Sequence, residues 1–240
     1  MKNADIWKPS KYELVNGELA SSKNPEEVGA GSFLLVSVIA DIYNGYISEY
    51  ASGKLLDLGC GKIPMYGYYR DFVTDTVCVD WINTAHKNPN IDMELDISKP
   101  LPFDDNTFDT IICSDVLEHI YNPVDVMNEM VRVCNSGGHI MINTPFTYWI
   151  HEEPYDYNRY TPYFYMKFAD DREDVRLVKI KTMGGTREVI ADIIGKKLQG
   201  KFPGIVQSVQ KMVYSKYRKH PGRMKGWTLG VAAVYEVIKN

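Results

Sequence analysis

The sequence predicts an α/β protein: a doubly wound open sheet of seven strands, with helices on both faces. Three observations carry that expectation. Short apolar runs alternate with amphipathic stretches along most of the chain, as repeated β-α-β units require. The runs lack the apolar–polar alternation of a half-wet sheet, so they read as strands covered on both faces. A glycine-rich corner follows the first run, in KLLDLGCGKIPMYGYY, Lys54 to Tyr69, where an open sheet of this kind holds its ligand.

The elements follow in order. Residues 1–27 are polar and broken by Pro9, Gly17 and Pro25, which suits an extended arm or lid. In residues 28–50, Phe33, Leu34, Val38, Ile42 and Ile47 recur at helical spacing. Residues 1–50 are thus expected to form an arm and helix, and 51–240 the main domain. Lys54–Leu58 reads as a buried strand and Met65–Phe72 as a helix. Thr76–Trp81, Ile91–Ile97 and Phe108–Ser114 read as the next three strands. Pro123–Val133 places Val124, Met127, Met130 and Val131 on one helical face. Ser136-Gly137-Gly138 is a stop and turn before a fifth strand, His139–Asn143. Residues 144–170 form an irregular, aromatic-rich insertion. Val175–Met183 and Thr228–Val237 are two more strands. Helices over Glu188–Leu198 and Gly204–Tyr217 lie between them, within a helical insertion at 186–225.

Composition narrows the function classes. The net charge of −4 gives no global reason to expect nucleic acid as partner. No basic stretch followed by an apolar one opens the chain, so no secretory leader is expected. The longest apolar stretch is far too short to span a bilayer. Cys60, Cys78, Cys113 and Cys134 form no Cys-x-x-Cys pair and read as small buried residues in a reducing, cytoplasmic setting.

The chemistry is expected just beyond the strand ends. Asp57, Gly59 and Gly61 form the first corner. A dinucleotide fingerprint needs a third glycine where Pro64 stands, which weakens that reading. Asp80 closes the second strand, where an acid accepts both ribose hydroxyls. Asp96 and Ile97 close the third, an acid and an apolar residue that suit an adenine amine and an adenine face. Three such acids at three strand ends argue for a nucleoside-bearing ligand.

The segments LLDLGCG, VDW, LDISKPLPFDDNTFDTIICSDVLEHI and NEMVRVCNSGGHIMINTPF resemble the class I S-adenosylmethionine-dependent methyltransferases, in particular the small-molecule branch called type 11. That resemblance, over Lys54 to Phe146, implies a Rossmann-like sheet, mostly parallel with one antiparallel strand, and S-adenosyl-L-methionine as cofactor. It implies that Asp57, Gly59, Cys60 and Gly61 line the methionine part. Asp80 would take the ribose with Trp81 beside the adenine, Asp96 and Ile97 would hold the adenine, and Ser114 and Asp115 would lie below the sulfonium. Two departures stand out. Ile63 replaces a glycine of many relatives, and the short link between the second and third strands leaves no room for the usual helix.

The acceptor side is expected in TPFTYWIHEEPYDYNRYTP, which resembles a His-Glu-x-Pro-Tyr-Asp-Tyr-x-Arg-Tyr-Thr signature of a subgroup associated with surface polysaccharides and secondary metabolites. A sugar hydroxyl is a weak acid and needs a base. His151 with Glu152 is one candidate and His119 the rival, set on a helix after the fourth strand. Tyr148, Tyr155, Asp156 and Tyr157 would bind the acceptor, with Arg159 on a phosphate or carboxylate. No metal is expected, since His151, Glu152 and Asp156 lack a second ligand cluster. The basic stretch Lys211 to Lys225 is either a solvated helix face or a contact for a phosphorylated acceptor or an anionic membrane. The sequence thus favours methylation of an oxygen on a sugar or other small polar acceptor, a phosphorylated or lipid-linked glycan included, with at most peripheral membrane contact. The runners-up are N- or C-methylation and a non-catalytic binding protein.

Overall fold

The structure, a computed structural model, describes residues 1–82, 88–221 and 226–239. The arm carries a small antiparallel hairpin, β1 (Tyr12–Val15) and β2 (Glu18–Ser21), before the long helix α1 (Phe33–Tyr50). Then come β3 (Lys54–Leu58), α2 (Tyr66–Tyr69), β4 (Asp75–Asp80), β5 (Met93–Glu94) and β6 (Phe108–Ser114). They are followed by α3 (Pro123–Val133), β7 (Cys134–Pro145), α4 (Pro162–Asp170) and β8 (Val175–Thr182). α5 (Thr186–Leu198), α6 (Pro203–Lys219) and β9 (Gly230–Val237) complete the domain. The main sheet has the order β5-β4-β3-β6-β7-β9-β8. Strands β5 to β7 run parallel, and β9 is antiparallel to both of its neighbours. The order reverses between β3 and β6, which puts the ligand crevice at their C-terminal ends.

Period-2 alternation divides the core into two layers. Leu55, Ala232 and Val234 face α1 and α6, whereas Leu56, Leu58, Val231 and Ala233 face α3 and α4. Gln210 ties α6 to the start of α1: its Oε1 accepts from Leu34 N at 2.9 Å and its Nε2 donates to Gly31 O at 2.8 Å.

Four expectations are corrected. The arm is not simply extended, because Asn16-Gly17, both at positive φ, turn it into a hairpin. The strand expected over Ile91–Ile97 shrinks to Met93–Glu94. The Asp92 side chain accepts from Cys78 N at 2.8 Å, and Ser98 closes a turn onto Asp96. The fifth strand begins before the glycines rather than after them, with Gly137 bending it at φ 83. The insertion at 144–170 ends in a regular helix, α4, started by Pro162. The absence of a helix between the second and third strands bears on 83–87, outside the described residues, as do Arg223 and Lys225 of the basic stretch.

Candidate active site

A cavity of about 860 Å³ opens at the C-terminal ends of β3, β4 and β6. Asp57, Gly59, Cys60 and Gly61 line it from the first corner, and Asp80 and Trp81 from the second. Asp96, Ile97, Ser114 and Asp115 line it as well. The arm contributes Lys11 and Tyr12, which the sequence reading did not name.

The first corner is tightly built. Gly59 sits at φ 73, and a Cβ there would come within 2.5 Å of Val116 Cγ2. Backbone alone fits between β3 and the loop after β6. Ile63, where relatives carry glycine, is held at φ 52 and fully buried. A β-branched residue in that region is strained by about 1–3 kcal/mol. Neighbours hold it there: Ile63 N donates to Cys60 O at 2.7 Å, and the arm's Trp7 Nε1 donates to Ile63 O at 3.1 Å.

The acids are bonded before any ligand arrives. Asp80 accepts from Gly61 N at 3.0 Å and from Trp81 N at 2.8 Å. A carboxylate oxygen can accept more than one hydrogen bond, so these contacts do not bar a ribose hydroxyl. Asp57 accepts from Tyr69 OH at 3.0 Å. Burial pushes its carboxyl up to about 7, with the Tyr69 hydroxyl pulling down and the Asp80 charge adding to the rise. Asp115, at φ 55 just after β6, accepts from Asn143 Nδ2 at 2.6 Å and from Lys11 Nζ at 3.0 Å. Tyr43 OH extends the chain by donating to Asn143 Oδ1 at 2.8 Å.

The loop after β7 forms the opposite wall. Glu152, Tyr155 and Tyr157 reach the cavity, and so does His119. His119 belongs to a 3-10 turn, Leu117–His119, rather than to a helix. Trp81 and Tyr155 meet edge to face at 4.9 Å and join the two walls. His151 stands behind His119, with ring centroids 4.7 Å apart.

Tyr148, Asp156 and Arg159 are not brought to the cavity. Arg159 donates to both Asp156 oxygens, at 2.5 and 2.8 Å, and to the carbonyls of Asn158 and Trp149. It braces the loop, with its guanidinium held on Asp156 away from the cavity. Its guanidinium, ahead of other effects, holds the Asp156 carboxyl well below the usual carboxylate range. Asp156 in turn accepts from His151 N at 3.0 Å and faces His151 Nδ1 at 3.2 Å. Tyr148 packs on His151 at 4.9 Å and lies under the Lys196 ammonium, 3.8 Å from its ring centroid.

Glu118 is the residue that sequence reasoning missed. It is 0% exposed, neither oxygen has a hydrogen-bond partner among the described residues, and Oε1 faces the Nε2 atoms of His119 and His151 at 3.8 and 3.9 Å. Burial, helped by the Asp115 charge, drives its carboxyl well above the ordinary range. An acid inside the run VLEHI, surrounded by apolar neighbours, was the available signal.

The strand order, the crevice at its switch point and the acids there can now be set beside known proteins. Residues 56–142 match the methyltransferase domain family. A probable S-adenosylmethionine-dependent methyltransferase of Mycolicibacterium smegmatis is 26% identical over 113 residues, 43% of this chain and 42% of that one. A demethylmenaquinone methyltransferase of Paenarthrobacter aurescens is 33% identical over 94 residues, 37% of each chain. This chain thus spans about two fifths of the length of the curated relatives it matches. Among solved structures, the [4+2]-cyclase SpnF shares the fold with a TM-score of 0.54 and 14% identity, over 96% of this chain and 86% of that one. The methyltransferase match implies S-adenosyl-L-methionine as cofactor and supports an enzyme that uses it. The cavity fits that molecule chemically: bare backbone at Gly59, and an acid already aligned at Asp80.

Proposed function

We propose that this chain methylates an oxygen of a sugar or other small polar acceptor. The carrying observation is that one cavity joins the acids of the cofactor wall to His119 and Glu152 on the facing wall. When bound, S-adenosyl-L-methionine supplies a methyl group on a positively charged sulfur. The chain aligns the acceptor oxygen with that bond, a contribution worth several kcal/mol. Asp57 and Gly59 hold the methionine part, Asp80 the ribose, and Asp96 with Ile97 the adenine. Asp115, fixed by Asn143 and Lys11, faces the positive sulfur. Tyr155 and Tyr157 flank the acceptor, and its proton leaves toward Glu152, which His119 faces.

The outer faces of α5 and α6 support a lipid-linked acceptor. Ile190, Ile193, Ile194, Ile205 and Met212 are exposed on them, beside Lys197, Lys201 and Lys211. An apolar stripe edged with lysines suits an anionic membrane surface. Among the described residues, no helix is long and apolar enough to cross a membrane. A second reading, demethylmenaquinone as acceptor, draws on the similarity to the enzyme of that name.

The test is formation of S-adenosylhomocysteine with panels of sugar nucleotides, lipid-linked glycans and quinols. His119→Ala is expected to lower turnover by about 10²-fold or more and to leave calorimetric cofactor affinity within about twofold. Full turnover in that variant, or activity confined to quinols, would overturn the sugar reading.

A further inference from the structure

Glu118, His119 and His151 form a cluster whose chemistry the fold leaves incomplete. His119 Nδ1 lies 2.9 Å from the Tyr155 carbonyl oxygen, which only accepts, so Nδ1 carries the hydrogen. His151 Nδ1 faces Asp156, which Arg159 keeps ionised, and it too carries the hydrogen. In the neutral rings both Nε2 atoms present lone pairs, and they lie 3.8 and 3.9 Å from Glu118 Oε1. One ligand atom from each residue lies within 4.8 Å of the others. The carboxyl is completely buried and, among the described residues, accepts no hydrogen bond from a neighbour. A cation that displaces the carboxyl proton and sits between its oxygen and the two imidazole lone pairs satisfies all three groups.

The structure assigns a divalent transition-metal site, zinc by ligand class, to Glu118, His119 and His151. Two imidazoles and a carboxylate are a zinc-type donor set, with bonds of about 2.0–2.2 Å. Side-chain rotations that move the ligand atoms by about an ångström close the triangle around an ion. The hydrogen bonds from the two Nδ1 atoms to Tyr155 O and Asp156 are the outer contacts that orient metal-bound histidines. Glu152, whose Oε2 lies 3.9 Å from His119 Nε2, stands on the cavity side as a fourth donor or as the base beside an open position. The trio weighed from the sequence fails because Arg159 occupies Asp156, and Glu118 takes its place. If an acceptor hydroxyl enters this cavity, as proposed above, it meets the open position, where an ion makes it more acidic; that role alone rests on the methyltransferase reading.

The experiment is equilibrium dialysis of the full chain, stripped with chelator, against Zn²⁺ and Co²⁺, with metal counted by mass spectrometry. Calorimetric titration with S-adenosyl-L-methionine runs alongside. One ion per chain is expected, with the visible absorption of a low-symmetry site when Co²⁺ is loaded. Glu118→Gln and His151→Ala should each weaken Zn²⁺ by more than about tenfold, while both still bind the cofactor, which shows that they are folded. No stoichiometric ion, or equal Zn²⁺ binding by the variant lacking all three side chains, overturns the site. Cofactor binding without metal would sink the metal site and spare the methyltransferase reading. Metal binding without cofactor binding would do the reverse.

Discussion

The two walls of the cavity are made from the same kinds of side chain and satisfy them in different ways. On the wall at the ends of β3, β4 and β6, every named acid already has a donor: Tyr69 for Asp57, Gly61 and Trp81 for Asp80, Asn143 and Lys11 for Asp115. On the wall made by the 3-10 turn and the loop after β7, Glu118 has none. The fold is able to provide a partner deep inside, because buried Asp192 on α5 receives the Lys196 ammonium at 2.6 Å one turn later. The contrast teaches that the fold supplies its own donors to one set of buried acids and leaves Glu118, among the described residues, without one, which is the opening the proposed cation would fill.

The largest effect should come from breaking the paired region. Lys196→Ala leaves Asp192 buried without its cation and is expected to cost about 3–5 kcal/mol, a fall of about 10 °C in melting temperature by calorimetry. Glu118→Gln has no partner to lose, so the melting temperature of the metal-free chain should stay level or rise. Equal losses in the two variants would erase the distinction drawn between these acids.

Next comes Asp80→Ala. It removes the acceptor for two backbone N–H groups and for the ribose, each charged hydrogen bond being worth about 1.5–3 kcal/mol. Cofactor affinity should drop by about 10²-fold or more in a calorimetric titration, and unchanged affinity would remove Asp80 from the ribose.

Asp57 should show itself through pH. Its carboxyl is raised to about 7 in the fold, so the folded chain keeps a proton that the unfolded chain has released. That buried group costs nothing below about pH 4, and its penalty grows as the pH rises to about 7. A ligand carrying positive charge favours the ionised form, so cofactor affinity should climb by up to about tenfold per pH unit below 7 and level off above it. Affinity measured across pH 5–8 would test this; a profile unaltered by Asp57→Asn would assign the dependence to another group.

The smallest effect concerns the strained corner. Ile63→Gly relieves the left-handed conformation but gives up a buried side chain and stiffens nothing in the unfolded chain. Strain relief of about 1–3 kcal/mol offsets part of the ~2–5 kcal/mol lost with a buried Ile side chain, so a net loss of about 1–2 kcal/mol is expected, read by chemical denaturation. A loss of about 4 kcal/mol or more would mean that packing, not backbone strain, governs the corner.

Much of the cofactor wall was legible in the sequence because its residues sit at fixed offsets from strand ends. Asp57, Asp80 and Asp115 are each placed by a run of apolar residues that precedes them, and the sheet order does the rest. The facing wall was less legible because long-range contacts decide it. Nothing local to Arg159 says that it will turn back onto Asp156, and nothing local to His119 says that His151 will stack against it. Glu118, between Leu117 and His119, was not singled out, because its burial comes from the later loop that folds over it. The hairpin at Asn16-Gly17 had a local signal, a pair that favours a tight turn between strands, and the arm's length of polar sequence obscured it.

The arm itself has a temporal consequence. Lys11 is bound to Asp115, and Trp7 lies 2.9 Å from the space where a Cβ of Gly67 would stand, with its ring edge on Tyr66. These contacts lay the arm against the rim of the crevice, where Lys11 lines the cavity. Under the proposed function a cofactor lies beside that ion pair, so Lys11→Ala is expected to speed its release in a stopped-flow displacement, and an unchanged release rate would leave the arm without a part in the cycle.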